Sequence, residues 1–125
     1  MDLRIAITKK TGGVVIVTLA GQINTDTYET LQKKLEPLLK TPIRVMVFDM
    51  KGIGYISSMG IGVILSTREA IEKSGGNLLL VNLQPQIVKL FNILKTLLSK
   101  DVFKSVEELD TYLASVQLKE TGKSE

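Results

Sequence analysis

A chain of 125 residues with no cysteine and no histidine is long enough to bury one hydrophobic core, but it has no disulfides, no thiolate metal ligands and no imidazole base. Its 16 basic and 13 acidic residues leave a formal charge of +3; the two signs are interspersed, and with aromatics at 5% and no tryptophan a base-stacking nucleic-acid surface is not expected. No apolar run reaches the ~18 residues of a membrane span and the amino terminus carries no signal-peptide core, so the expectation is a cytoplasmic protein with no membrane and no nucleic-acid partner.

Leu3, Ile5 and Ile7 alternate as one face of an edge strand. Thr11-Gly-Gly13 supplies a turn into a second strand over Val14 to Ala20, and the two should pair as an antiparallel hairpin. Gly21 is expected to break that strand. Asn24 or Thr25 then caps a helix with the stripe Leu31, Leu35, Leu38 and Leu39, whose last turn Pro37 should kink or loosen. Asp26 suits the start of this helix through the helix dipole.

Ile43 to Met50 is apolar on both faces around Val45, Met46 and Val47, which predicts a buried strand bracketed by Pro42 and by Lys51-Gly52. Asp49, with no second acid or histidine near it in sequence, reads as a turn-satisfying residue. A glycine-punctuated turn is expected over Lys51 to Tyr55, followed by a helix from about Ser58 to Lys73 that Gly75-Gly76 ends. Asn77 to Val81 gives another buried strand. Pro85 suits the first position of a helix carrying Ile87, Leu90, Phe91 and Leu94.

Val102 to Lys104 can add a short last strand. Ser105-Val-Glu-Glu108 has capping-box spacing, so a final helix should run through Leu109, Leu113 and Val116. Residues 1–118 then form one domain and 119–125 a polar, frayed tail. The order ββαβαβα(β)α predicts a single α/β domain with a mixed four- to five-stranded sheet covered by about four helices.

The stretch Lys51 to Leu65 is where function is expected. Ser57 and Ser58 stand at the carboxyl edge of the sheet on a strand-to-helix connection, where open α/β sheets carry their sites, and either hydroxyl can cap the helix. Gly60 and Gly62 each cost about 1 kcal/mol relative to alanine in a helix, which points to a close approach there. A helical wheel puts Gly60, Val63, Ile64, Thr67, Ala70 and Ile71 on the sheet side and leaves Met59, Ile61 and Leu65 as an apolar rim beside the serines, a docking surface for protein.

Tyr55-Ile-Ser-Ser-Met-Gly-Ile-Gly-Val-Ile-Leu65 resembles the signature of the STAS domain, the fold of bacterial anti-sigma factor antagonists and of the cytoplasmic domains of sulphate transporters. Gly21-Gln-Ile-Asn-Thr-Asp-Thr-Tyr-Glu-Thr-Leu31 resembles the family's segment into its first helix, and Gly75-Gly-Asn-Leu-Leu-Leu-Val81 its glycine turn and following strand. Pro85 to Leu94 and Val102 to Leu109 resemble its last elements, so the likeness covers roughly residues 3 to 116. It implies an anti-sigma factor antagonist that binds an anti-sigma factor which is itself a serine kinase, with Ser58 as the phosphorylated residue. The partner surface it implies comprises Ser57, Met59, Gly60, Ile61, Gly62 and Leu65 with Asn24 and Thr25. The chain departs from the pattern at Ser57, where the switchable antagonists carry Asp.

Two other readings belong beside this one. A non-switching STAS scaffold, or a module binding a nucleotide or other small ligand weakly at the Ser57 to Gly62 turn, is the alternative that the Ser57 departure keeps open. An enzyme with Ser58 as nucleophile lacks the Gly-x-Ser-x-Gly elbow and any histidine base. Gly52-Ile-Gly54 and Gly60-Ile-Gly62 are incomplete dinucleotide patterns. No enzyme activity and no cofactor are therefore expected, and the protein should be a monomer or weak dimer.

Overall fold

The computed structural model describes residues 2–97 and 106–121. Its elements follow the order β1 (Leu3–Lys10), β2 (Val14–Ile23), α1 (Tyr28–Leu39), β3 (Val45–Ile56), α2 (Ser58–Lys73), β4 (Asn77–Val81), α3 (Pro85–Leu97) and α4 (Val106–Thr121). The expected last strand at Val102 to Lys104 and the cap at Ser105 lie outside the described residues. α4 keeps its helical backbone to Thr121, so the polar segment from Lys119 begins inside the helix.

The four strands form one sheet in the order β1-β2-β3-β4. β1 and β2 make the antiparallel hairpin, while β2/β3 and β3/β4 are parallel and are joined through α1 and α2. Ile7 pairs with Val17, Val17 with Phe48 and Phe48 with Leu80, so strand periodicity sets these apolar side chains on one face. With Val15, Leu19, Met46 and Met50 they meet Leu31, Leu35 and Leu38 of α1, Val63, Ile64 and Ile71 of α2, Leu90 of α3 and Leu113 of α4 in one core cluster.

The opposite face is less covered than the apolar runs suggested. Val45 and Val47 are only half-buried, and Leu79, on the edge strand β4, is 49% exposed. β3 and β4 are therefore sided strands, not strands buried on both faces.

Two strands outrun their expected ends. Gly21 does not break β2: at φ 120° it keeps pairing while leaving no room for a side chain against the Asp2 carbonyl. β3 continues through the expected turn to Ile56, because two register shifts insert extra residues opposite β2 and let Ile53 and Ile56 still reach the core. Such bulges interrupt alternation, so the glycines read as a turn in sequence.

β4 pairs with β3 only as far as Asp49. Beyond it, three glutamines take over the free edge. Gln84 Nε2 donates to Lys51 O at 2.8 Å, Gln86 Nε2 to Gly54 O at 3.0 Å, and Gln117 of α4 exchanges two bonds with Ile56. Exposed strand edges invite pairing with other chains, and here side chains satisfy part of one. Asp49 fulfils its expected local role, accepting from Lys51 N and Asn82 Nδ2 at 3.1 Å each. Those two donors, Asn82 first, hold its carboxyl below the ordinary carboxylate range.

Pro37 loosens the end of α1 as expected. The last amides bond three residues back, Lys40 N to Pro37 O and Thr41 N to Leu38 O, in the tighter 3₁₀ manner.

Candidate functional site

Strand β3 delivers its last residue, Ile56, to the core and passes directly into α2. Ser57 has extended backbone (φ −87°, ψ 175°) and its Oγ accepts from Gly60 N at 3.3 Å, which makes it the helix cap. Its own N–H donates to Ile23 O at 2.8 Å, tying the helix start to the end of β2. A Cβ on Gly60 would come within 2.6 Å of Ile23 Cγ2 and 2.7 Å of Ile23 O, so the close approach expected at this glycine is real.

Gly62 is different. It is exposed, and a Cβ there would meet nothing within 4 Å. Its cost in helix propensity is not offset by packing within this chain.

Ser58 is the first residue of α2. The residue lines a groove of ≈ 190 Å³ between α1 and α2, together with Tyr28, Gln32, Met59, Gly62, Val63 and Ser66. The residue is part-buried, and its Oγ is shielded from solvent without any hydrogen-bond partner. A buried unpartnered hydroxyl is costly, and moving it out of this position breaks no hydrogen bond.

The backbone N–H of Ser58 donates to Asp110 Oδ1 of α4 at 2.6 Å. Tyr55 lies beside the same carboxylate; burial first, then the Asp110 charge, pushes its phenol above the ordinary value. The start of α2 is thus reached by β2, α1 and α4 together.

The turn before α1 completes the site. Asn24 Oδ1 accepts from Asp26 N at 2.9 Å and from Thr27 N at 3.1 Å, and Asn24 Nδ2 donates to Gln22 Oε1 at 3.1 Å. Asn24 therefore stabilises the turn, while Thr27 occupies the cap position without a side-chain capping bond; the cap expected at Asn24 or Thr25 is displaced by two or three residues. Thr25 is exposed at the tip. Since Ile23 touches both Ser57 and Gly60, this turn adjoins the serines.

The expected docking rim is partly corrected. Ile61 is 5% exposed and belongs to the core, and Ser57 is a buried polar residue at 4%; Gly60 is buried and Leu65 only half-buried against the core. α2 packs against α1 and α4 as well as β3 and β4, so a wheel drawn for one sheet-facing stripe underestimates what is covered. Met59, Gly62 and Ser58 remain at the groove, joined by Tyr28 and Gln32, whose i,i+4 spacing on α1 puts them on one face. Asp110 and Gln117, 52 and 61 residues from their partners, carry no local sequence signal.

Among the described residues no group of three or more His, Cys, Asp or Glu is placed to hold a metal ion, and no helix is long and apolar enough to cross a membrane.

The family model of the STAS domain matches residues 6–109. The anti-sigma-B factor antagonist of Bacillus subtilis (strain 168) is 34% identical over 77 residues, which are 62% of this chain and 70% of that protein. Among solved structures, the anti-sigma factor antagonist SpoIIAA in its unphosphorylated form superposes with a TM-score of 0.62 at 19% identity, covering 72% of this chain and 83% of that one. An anti-sigma factor antagonist from Mycobacterium paratuberculosis gives 0.67 at 16% identity, over 90% and 95% of the two chains. At those identities the structural likeness establishes the fold.

Proposed function

The chain belongs to the STAS domain family, and from that premise we propose that it is an anti-sigma factor antagonist, a partner-switching regulator whose active event is binding. The bare protein engages an anti-sigma factor over the groove between α1 and α2. Phosphorylation of Ser58 by that partner, acting as a serine kinase, releases it. In that step the Ser58 Oγ–phosphorus bond forms as the bond from the γ-phosphorus of a kinase-bound nucleoside triphosphate to its bridging oxygen breaks; the nucleoside diphosphate leaves and the hydroxyl proton passes to a base of the kinase.

The observation that carries this reading is the position of Ser58, the first residue of a helix and on the wall of an open groove. A phosphate there carries about −1.5 to −2 charges, which a helix amino end tolerates, so the fold survives the modification. Enclosing that dianion against an apolar partner surface would cost several kcal/mol, so the complex would not. The Bacillus subtilis relative, named as an anti-sigma-B factor antagonist, supports the class of partner.

Titrating wild type, Ser58→Ala and Ser58→Asp against a candidate anti-sigma factor tests the proposal. The Ala variant should bind constitutively and the Asp variant weakly, both folded. Equal affinities would remove Ser58 from the mechanism and favour a non-switching STAS scaffold.

A further inference from the structure

The first amides of a helix have no partner within it. At α2 the first of them, Ser58 N–H, is taken by a charged acceptor from a distant helix, the Asp110 carboxylate at 2.6 Å. The contact is favourable for two reasons: a carboxylate is stabilised at a helix amino end, and a hydrogen bond to an ionised acceptor is stronger than one between neutral groups.

Asp110, Leu113 and Gln117 are spaced i, i+3, i+7, which is one face of α4. Leu113 is fully buried, and Gln117 grips Ile56 through both its backbone N–H and its carbonyl. This face of α4 is therefore anchored on residues 56–58, the segment that ends in the proposed phosphoacceptor, while the helix packs most extensively against α3.

A phosphoryl group on Ser58 Oγ would introduce a dianion on the residue whose amide Asp110 already holds. Amides at a helix start are good phosphate ligands. The phosphate and the carboxylate would compete for one donor and repel each other.

We infer that Asp110 is the latch of an electrostatic switch: it holds α4 on the α2 amino end while Ser58 is bare, and a phosphate on Ser58 displaces it and loosens α4. This rests on the reading of Ser58 as a phosphoacceptor and adds a second output to it, a change in α4 far along the sequence from the modified residue. Asp110 acts here as a positioning residue.

The test needs no partner protein. Phosphoserine is placed at position 58 by genetic-code expansion, and backbone hydrogen exchange is measured over α4 in the bare and phosphorylated chains, each with Asp110 and with Asp110→Asn. Phosphorylation should speed exchange of the α4 amides by about tenfold or more in wild type. In Asp110→Asn the phosphate should add a clearly smaller increase, because the neutral amide still competes for the Ser58 N–H but is not repelled. Should Asp110→Asn free α4 before any phosphate is added, the holding role is supported directly.

Unchanged α4 exchange in the phosphorylated wild type would overturn the inference. So would an equal phosphate-driven increase in an Asp110→Asn protein whose α4 is protected when bare. Failure of the parent reading looks different: phosphorylated and bare chains would bind an anti-sigma factor equally, whatever α4 does.

Discussion

Gln117 and Ile56 are joined by a reciprocal pair of hydrogen bonds: Gln117 Oε1 accepts from Ile56 N at 2.9 Å, and Gln117 Nε2 donates to Ile56 O at 2.8 Å. A helix side chain thus completes the last rung of β3 as a neighbouring strand would, one residue before the serines. Gln117 is only 2% exposed. Replacing it with Leu leaves both groups of Ile56 without their partner in a dry site, where each unsatisfied group costs about 1 to 3 kcal/mol. Gln117→Leu should lose about 2 to 4 kcal/mol in denaturant titration, and a loss below about 0.5 kcal/mol would mean that water or a rearranged α4 replaces the pair.

The two glycines at the start of α2 should respond oppositely to alanine. Gly60→Ala drives a methyl group into Ile23 Cγ2 and the Ile23 carbonyl and should cost about 1 to 3 kcal/mol. Gly62→Ala meets open space and should gain up to about 1 kcal/mol from helix propensity. Thermal melts of the pair check both signs. If the stabilised Gly62→Ala protein also binds its partner more weakly, the empty space at position 62 is filled by that partner.

Ile61 provides a second check on which side of α2 is covered. At 5% exposure within the core cluster, Ile61→Ala should cost about 2 to 4 kcal/mol. Denaturant titration showing less than about 0.5 kcal/mol would restore Ile61 to the surface.

How far these features were legible in sequence depends on how local their causes are. Ser57 as cap, the span of α2 and the tight contact at Gly60 follow from hydroxyls, glycines and periodicity within a few residues. The hairpin and the leucine stripe of α1 are equally local. The extension of β3 through Gly52 and Gly54 was hidden, because bulges break the period of two on which strand recognition rests. Ile61 was misplaced because α1 and α4 flank α2, and nothing in the helix itself announces its neighbours. Asp110 and Gln117 lie on the far side of two further elements, so only the fold brings them to the serines.

Asp49 predicts a pH response away from the site. Its carboxyl is held below the ordinary range by the bonds from Asn82 and Lys51. A depressed native pKa adds stability above the unfolded value, about 3.9, and that stability is lost as pH falls through the native value. The stability gap between wild type and Asp49→Asn should therefore narrow as pH falls through the unfolded value and on through the lower native one. A gap that stays constant over that range would show that the charge of Asp49 contributes nothing.

Ser57 bears on how the site would be modified. Aspartate caps helices as well as serine does, but at 4% exposure a carboxylate at position 57 is desolvated, so Ser57→Asp should cost about 1 to 3 kcal/mol, while Ser57→Ala should cost about 1 kcal/mol. With a cognate kinase, Ser57→Asp should also speed phosphorylation of Ser58 by supplying the carboxylate that the STAS resemblance implies at this position. An unchanged or slower rate would mean that the kinase is matched to the Ser57-Ser58 sequence.

The most direct measurement is calorimetric titration of an anti-sigma factor with the bare chain, with Ser58→Ala and with the chain carrying phosphoserine at position 58. A penalty of about 4 kcal/mol corresponds to roughly a thousandfold in affinity. Tight and equal binding is expected for the first two and a loss of about that size for the third, with all three equally folded by circular dichroism. Tight binding by the phosphorylated chain would contradict the Ser58 switch.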